Sequence, residues 1–243
     1  MKQNHQEIGI GIIGSGRMGN LRSSISRSHG SIKYIGVSDK EVAKAKILGE
    51  KINADLISSN NEEIISNENV HAIIVSTSEP EHLDPVIQAL ERGKPVLVEK
   101  PIALSEDDAK KMIEVANKNN TTLHVGYTLR FNRHFLIGKQ QILDKKIGNI
   151  LSCVGRFYNS QRTGAEILKR SKHISFINDA LTYLVDLFGW YMEDKKPKEI
   201  IAKGHGKIYR RDGYDVDEIA AAIITYEDGT IVNLSMGYAL PKN

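Results

Sequence analysis

The sequence predicts an α/β fold in which a doubly wound parallel sheet is followed by a second, α+β domain built on a mostly antiparallel sheet. A β-branched strand at residues 8–13 runs into a cluster of glycines. Strands and helices then alternate as far as residue 125. After Tyr127 the pattern changes to long strands that follow one another without crossover helices. We therefore expect two domains, residues 1–126 and 127–243.

In the first domain the strands are separated by helices long enough to form right-handed crossovers, which imply a parallel sheet. We predict strands at 8–13, 32–37, 70–76, 95–98 and 122–125, helices near 19–29, 40–51, 81–92 and 106–119, and a loop with a short helix at 58–69. The central strands are apolar without alternation, as expected for strands buried on both faces. A ligand of such a sheet binds at the carboxyl ends of its strands.

The second domain is predicted to contain fewer helices and longer strands. We expect helices near 133–145 and 174–188, strands near 150–158, 199–209, 218–226 and 230–239, and a basic polar loop that contains Arg162, Lys169, Arg170 and Lys172. The turn Glu227-Asp228-Gly229 is typical of a hairpin between the last two strands.

Composition excludes several classes of function. The 243 residues carry a net charge of +3 without a basic block interleaved with aromatics, so nucleic acid is not an expected partner. The polar start MKQNHQE and the absence of a long apolar run predict a cytoplasmic protein with no membrane partner. The one cysteine, Cys153, is expected to be a small core residue. His82, His124 and His134 lack metal-ligand spacing, so no metal is predicted.

The glycines after the first strand have the spacing of a dinucleotide site. In G-x-G-x-x-G, Gly14 permits a tight turn, Gly16 lets the backbone approach a pyrophosphate, and Gly19 lets the helix pack on the strand. The phosphates then bind the first N–H groups of the helix, at Arg17 and Met18.

Asp39, at the end of the second strand, is close to where such a unit places the carboxylate that binds the adenosine ribose. This carboxylate would repel a 2′-phosphate, so NAD is favoured, although Lys40 could offset the repulsion and NADP stays open. The alternative is that Asp39 ends the strand and caps the helix at Glu41.

Further polar residues follow two other strands. Residues 76–82 read STSEPEH, and Glu99, Lys100 and Pro101 follow the strand at 95–98. Lys100 is expected to face the crevice where a nicotinamide would lie, and Pro101 restricts the backbone after it.

These residues resemble the glucose-fructose oxidoreductase, inositol dehydrogenase and MocA family. The resemblance rests on GIIGSGRMG at 11–19, Asp39, Thr77 with His82, GKPVLVEKPIALS at 93–105 and VGYTLRFN at 125–132. It implies cofactor contacts from Thr77, His82, Glu99 and Lys100, and substrate contacts from Tyr127 and Arg130. For Arg130, a structural ion pair is an equal alternative. Thr77, Ser78 and Glu79 stand where the family usually has Thr-Pro-Asn.

The predicted helix at 174–188 carries Asp179, Tyr183 and Asp186 on one face. The resembled family usually has a histidine as acid or base at the position of Tyr183, oriented by an aspartate at the position of Asp179. The alternative from the residues alone is that Asp186 binds backbone or a basic neighbour and Tyr183 is a half-buried aromatic residue. The glycines that usually precede this helix are replaced by His173, Ile174 and Ser175.

Because tyrosine is a poor base unless a cation stabilises its phenolate, we hypothesise that Lys100 and Tyr183 bind the reacting oxygen and one of them moves the proton. Asp179 would orient them; both Asp179 and Tyr183 would contact the substrate. A second hypothesis gives the family histidine's role to His173.

The resemblance implies an NAD(P)-dependent oxidoreductase of a sugar, sugar derivative or cyclitol. Two alternatives stay open: a nucleotide-binding sensor or subunit that has lost turnover, and a reductase of an unsaturated or imine bond. The family's second sheet often forms an oligomer interface, so a homo-oligomer is expected. The family usually continues beyond the last strand of this sequence, so we expect either an exposed sheet edge that pairs with another chain or truncation of a longer protein.

Overall fold

The computed structural model describes residues 7–241 except 171–174, and the described residues divide into two compact units with the boundary between Gly126 and Tyr127. The first unit is the expected doubly wound domain. Its strands are β1 (Ile8–Ile13), β2 (Ile32–Ser38), β3 (Leu56–Ser58), β4 (Ala72–Val75), β5 (Val96–Val98) and β6 (Leu123–Val125). Its helices are α1 (Arg17–Ser28), α2 (Val42–Ile52), α3 (Asn61–Ser66), α4 (Leu83–Glu91) and α5 (Glu106–Lys118).

The strands of the first unit form a parallel sheet in the order β3-β2-β1-β4-β5-β6. The strand order reverses between β1 and β4, which is the position where doubly wound sheets bind ligands. The carboxyl ends of β1, β2, β4 and β5 therefore lie at one edge of the sheet, and the polar residues predicted for the site follow these ends.

Apolar side chains fill both faces of this sheet because successive residues of a strand point to opposite sides. Ile13 packs with residues of α3, α4 and α5, including Ile64, Leu90 and Met112. Its neighbour Ile12 packs with Leu48 and other residues of α2. This two-sided burial explains why the strands are apolar without alternation.

Some predicted bounds in the first unit were wrong. The first helix begins at Arg17, two positions before the predicted Gly19, so Gly16 is its N-cap. The short strand β3 was not predicted. Asp55, just before this strand, accepts a hydrogen bond from the Ile35 amide, and Leu56 pairs with Gly36 of β2. Pairing with β2 therefore defines β3. A short 3₁₀ turn at Glu79–Glu81 precedes α4.

The second unit packs helices on one face of a mixed sheet. Its helices are α6 (Arg133–Leu143), α7 (Gln161–Arg170) and α8 (Phe176–Tyr191), and its strands are β7 (Ser152–Ser160), β8 (Pro197–His205), β9 (Ile219–Tyr226) and β10 (Ile231–Leu240). The sheet order is β7-β10-β9-β8, with antiparallel pairing except between β7 and β10, which are parallel. The predicted hairpin joins β9 and β10, and Gly229 takes a φ of 86° in its turn.

The predicted basic loop after β7 is wrong: residues 161–170, with Arg162, Lys169 and Arg170, form α7, whereas Lys172 lies outside the described residues. The Ser160 hydroxyl accepts the Thr163 amide at the start of this helix. Arg162 pairs with Glu166 one turn later, and Leu168 is fully buried. Capping and one apolar face outweigh the polar composition because helix stability comes mainly from packing.

The strand predicted at 199–209 ends at His205, and a short 3₁₀ turn occupies Tyr209–Asp212. The buried carboxylate of Glu218 accepts the amides of Lys207 and Ile208 and so bends the chain. A Cβ at Gly206 would lie 2.1 Å from the Val216 carbonyl oxygen, so only glycine fits there.

The core of the second unit lies between the sheet and α8, where Phe176, Leu184, Leu234 and Met236 are buried. Cys153 is half-buried against this core, and burial raises the pKa of its thiol. The opposite face of the sheet exposes apolar side chains, among them Val154, Ile201 and Ile223. No helix in the described ranges is long and apolar enough to cross a membrane.

We expect Gly19→Ala to destabilise the protein by roughly 1–3 kcal/mol, because an added Cβ would lie 2.0 Å from the Gly14 carbonyl oxygen and must displace backbone. Gly16→Ala is the matched control, since a Cβ at Gly16 meets no described atom within 4 Å. Thermal and denaturant unfolding measure both variants. Equal stability of the two variants would show that the close approach at Gly19 does not constrain the fold.

Candidate functional site

The glycine turn between β1 and α1 combines backbone crowding on one side with open space on the other. Gly14 has a φ of 96°, and a Cβ there would lie 2.7 Å from the Thr77 amide nitrogen. A Cβ at Gly16 would instead point into space free of described atoms within 4 Å. The turn therefore leaves room for a ligand to approach the backbone at Gly16.

The N-terminus of α1 follows directly from the glycine turn. Among the described residues, no side chain caps the helix at Gly16, and its first turn, which includes Arg17 and Met18, carries no acidic residue. Uncapped N–H groups and the positive end of the helix dipole favour a phosphate at such a position.

Asp39 lies beside the glycine turn and joins it to the next helix. Its Oδ2 accepts the Ser15 amide at 2.8 Å, and its Oδ1 accepts the Glu41 amide at 2.9 Å. The alternative that Asp39 stabilises the start of α2 is therefore part of its role, because Glu41 is the N-cap of that helix. The same carboxylate also lies at the carboxyl end of β2, next to the glycines.

The segment after β5 is held by contacts on both sides of Lys100. The Arg22 Nε of α1 donates to Glu99 Oε1 at 2.7 Å, and this ion pair is largely buried. The His82 Nδ1 lies 3.0 Å from the Pro101 carbonyl oxygen, and His82 is only 1% exposed. Thr77 donates its hydroxyl to the Glu81 carbonyl oxygen. Cofactor contacts of Thr77, His82 and Glu99 stay predictions.

In the second unit, Asp179 is a buried residue of α8. Its Oδ2 accepts the hydroxyl of Tyr238 on β10 at 2.5 Å. Burial and the Asp179 charge raise the pKa of Tyr238 well above its usual range, so this hydroxyl stays a donor at neutral pH. Ser175, four residues before Asp179, caps α8 by accepting a hydrogen bond from the Ile177 amide, and the helix begins at Phe176.

Tyr183 is half-buried among aromatic residues. Its ring stacks on Phe157 with an interplanar angle of 7° and a centroid distance of 6.1 Å. The Tyr127 ring meets it edge-on, with centroids 6.4 Å apart. The Tyr127 hydroxyl in turn lies 2.6 Å from the Thr182 Oγ1. These contacts give the Tyr183 ring a defined orientation.

Arg130 and Asp186 form a bidentate ion pair, with Nε–Oδ2 and Nη2–Oδ1 distances of 2.9 and 2.6 Å. The Asp186 side chain is 8% exposed. This pair fits the structural alternative for Arg130 and the interpretation that Asp186 binds a basic neighbour. A substrate contact of Arg130 stays a prediction.

Two other histidines named in the sequence analysis lie within the described residues. His124 and His134 are exposed, and His173 lies outside the described residues. Within the described ranges, no group of three His, Cys, Asp or Glu side chains is arranged to hold a metal ion.

Arg22, Thr182 and Tyr238 contact predicted site residues but were not predicted themselves. Arg22 is separated from Glu99 by 77 positions and Tyr238 from Asp179 by 59, so no local pattern links them. Thr182 is adjacent to Tyr183, yet its partner Tyr127 is 55 positions away.

Two family models match nearly the whole chain. The model described as "Oxidoreductase family, NAD-binding Rossmann fold" matches residues 8–127, and the GFO/IDH/MocA C-terminal domain model matches residues 135–243. Together they span both structural units.

Curated relatives and solved structures agree with these matches. The chain is 26% identical over 196 residues to an inositol 2-dehydrogenase of Salmonella typhimurium, covering 79% of this chain and 56% of the relative. It is 30% identical over 159 residues to a 2,7-anhydro-N-acetylneuraminate hydratase of Mediterraneibacter gnavus, covering 65% of this chain and 40% of that protein. The chain thus spans about half the length of these relatives.

The fold is shared with a crystal structure of scyllo-inositol dehydrogenase from Lactobacillus casei with bound NAD(H) and scyllo-inositol. The TM-score is 0.87 at 22% identity, over 97% of this chain and 71% of that one. From the two family models and this shared fold, the chain belongs to the GFO/IDH/MocA oxidoreductase family.

Proposed function

We propose that this protein transfers a hydride between NAD and a secondary alcohol or ketone of a sugar, sugar derivative or cyclitol. The observation that carries the proposal is the glycine turn, which is open at Gly16 and leads into an uncapped helix beside Asp39. Family membership and the inositol 2-dehydrogenase among its relatives support the reaction class.

The first unit has the features that a dinucleotide requires. The backbone at Gly14, Gly16 and Gly19 forms the turn, and the amides of Arg17 and Met18 would bind the pyrophosphate. An added Cβ at Gly16 would occupy the space that the phosphates need. The residues present therefore fit the cofactor.

Asp39 is proposed to accept hydrogen bonds from the adenosine ribose and to favour NAD over NADP. Its carboxylate is held by two amides and so stays close to the turn. Lys40, the cation that could attract a 2′-phosphate, pairs with Glu81 at 2.9 Å, and this hydrogen bond raises the Lys40 pKa. The pairing with Glu81 competes with phosphate binding.

We expect Asp39→Asn to weaken NADH binding about tenfold or more and to narrow the preference over NADPH, because the charge that binds the ribose and repels phosphate is removed. Fluorescence titration with NADH and NADPH measures both affinities. Asp55→Asn is a matched control. Asp55 also accepts a hydrogen bond from a backbone amide, that of Ile35, but it lies just before β3 and so at the other end of a strand from the glycine turn. An unchanged NADH-to-NADPH ratio in Asp39→Asn would contradict the assignment.

The bound nicotinamide would supply the hydride acceptor for oxidation or the hydride donor for reduction. The Lys100 ammonium group would bind the reacting oxygen and stabilise negative charge on it. In oxidation the hydroxyl proton would pass to Tyr183 as a phenolate, which the Lys100 ammonium group would stabilise, or to Lys100 as a neutral amine. The same group would return the proton in reduction. Asp179 would orient these groups.

The contacts of α8 support this use of Tyr183 and Asp179. Phe157 and Tyr127 restrict the Tyr183 ring, and Tyr238 restricts the Asp179 carboxylate. Restricting both side chains lowers the entropy cost of reaching a reactive arrangement. Tyr127, Asp179 and Tyr183 are also the proposed substrate contacts in this unit.

We expect Tyr183→Phe to lower kcat by about 100-fold or more while leaving NADH affinity unchanged, because it removes one hydroxyl and keeps the ring. Tyr191→Phe is the matched control on the same helix, since the Tyr191 hydroxyl donates to the Phe135 carbonyl oxygen. Initial rates with a panel of polyols measure the effect. Turnover close to the parent's would remove Tyr183 from the chemistry and leave Lys100 or the alternative His173 to move the proton.

A different reaction on the same scaffold is the main competing function. One relative supports this alternative: it is named a hydratase, and a hydration involves no net oxidation of its substrate. A sensor or subunit without turnover is the other alternative, consistent with tyrosine at the usual histidine position. Binding of NADH is expected for all three functions. Turnover with polyols and nucleotide sugars distinguishes the first from the others.

We also propose that a second copy of this chain covers the open face of the second sheet. One row of paired residues crosses this face, formed by Val154 of β7, Asn233 of β10, Ile223 of β9 and Ile201 of β8. The side chains of Val154, Ile223 and Ile201 are 62%, 45% and 58% exposed. An apolar row of this kind favours burial against a partner.

We expect Ile223→Lys to shift the protein to a smaller oligomer, because a charge on the open face disfavours burial of that face. Light scattering after size exclusion measures the mass. Ile25→Lys, the same change at a 57% exposed residue of α1 in the first unit, controls for added charge. An unchanged mass for Ile223→Lys, with intact folding, would exclude this face as the interface.

A further inference from the structure

The two residues that flank Lys100 are each held by a separate helix of the first unit. Glu99 accepts the Arg22 guanidinium of α1, with an Nε–Oε1 distance of 2.7 Å. Pro101 presents its carbonyl oxygen 3.0 Å from the Nδ1 of His82, the residue that precedes α4. Since a carbonyl oxygen only accepts, Nδ1 carries the proton in this contact.

The Arg22–Glu99 pair has little room to rearrange. The two side chains are 19% and 9% exposed. A Cβ at Gly126 would lie 2.9 Å from Glu99 Oε2 and 3.2 Å from Arg22 Nη2, so the backbone after β6 packs directly against the pair. A largely buried carboxylate that lost its guanidinium would be left as an uncompensated buried charge, which destabilises the fold.

The His82 contact is equally enclosed. His82 is 1% exposed, and as the last residue of the polar segment after β4 it contacts the segment after β5. The hydrogen bond joins these two segments 19 positions apart in sequence. Its loss would leave the Pro101 carbonyl oxygen without this donor.

We propose that Arg22 and His82 are positioning residues for Lys100, acting through Glu99 and through the Pro101 carbonyl oxygen. The inference rests on the proposed role of Lys100 at the reacting oxygen. Lys100 reaches that atom along a flexible side chain, so the position of its backbone sets where the ammonium group can lie. A displacement of about 1 Å at a reacting group can cost on the order of 100-fold in rate.

The first test compares Arg22→Met with Arg27→Met. Arg27 is also on α1 and also pairs with a carboxylate, that of Asp55. Asp55 lies just before β3, whereas Glu99 is next to Lys100 in the chain. With saturating NAD and a polyol substrate, Arg22→Met should lower kcat at least about tenfold more than Arg27→Met. Equal losses in the two variants would overturn the proposal.

A double variant separates positioning from stability. Replacing a buried ion pair by apolar residues often restores stability, so Arg22→Met/Glu99→Met should regain the melting temperature that Arg22→Met loses. We expect kcat to stay low in the double variant at NAD concentrations that saturate it, so that a weaker cofactor contact from Glu99 does not itself lower the rate. Recovery of kcat together with the melting temperature would assign the pair a purely structural role.

For His82, a conservative variant tests the hydrogen bond itself. The amide nitrogen of an asparagine is close to the position of Nδ1 and can donate to the Pro101 carbonyl oxygen, whereas leucine fills space without donating. At saturating NAD, His82→Leu should lower kcat at least about threefold more than His82→Asn does. Equal effects of the two variants would exclude the hydrogen bond as the cause.

A readout without turnover separates this inference from the proposed function. Hydrogen exchange by mass spectrometry reports the order of the Lys100 and Ile102 amides. We expect faster exchange there in Arg22→Met and His82→Leu but not in Arg27→Met or His82→Asn. If the parent turns over no polyol, the proposed function fails, and exchange still decides the inference: unchanged exchange in Arg22→Met and His82→Leu would overturn it.

Discussion

The close approach of peptide groups at residues 14–19 is the constraint on which the rest of the first unit depends. Gly14 has left-handed φ beside Thr77, and the Gly14 carbonyl oxygen lies 2.0 Å from the position that a Cβ of Gly19 would take. With any larger side chain at Gly19, the start of α1 would move away from the ends of β1 and β4. The polar edge of the sheet, including Asp39, is organised around this contact.

In the second unit, α8 packs on the core and also carries two buried carboxylates. Asp179 receives the Tyr238 hydroxyl, and Asp186 receives the Arg130 guanidinium. A buried carboxylate without such a donor would be costly, so these contacts stabilise the unit and also fix the face of α8 that carries Tyr183. Structure and proposed chemistry therefore use the same contacts.

The sequence was sufficient for most elements because their signals are local. Apolar β-branched runs predicted the parallel strands, and the turn before Gly229 predicted the hairpin of β9 and β10. The predictions were wrong where contacts with residues distant in the sequence determine the structure. Pairing with β2 defines β3, and Glu218 ends β8 by binding amides of the chain that follows it. The helix α7 was missed because its apolar face is recognised only from the core that buries Leu168.

The sequence by itself determined the fold class, the glycine turn, the position of Asp39 and the polar strand ends, because each depends on residues close together in the chain. Only the tertiary structure decided the partners of those residues. Arg22 binds Glu99 across 77 positions, and Tyr238 binds Asp179 across 59. Such contacts have no sequence period, since they form only when separate strands and helices bring their side chains into one buried space, where each charge needs a partner.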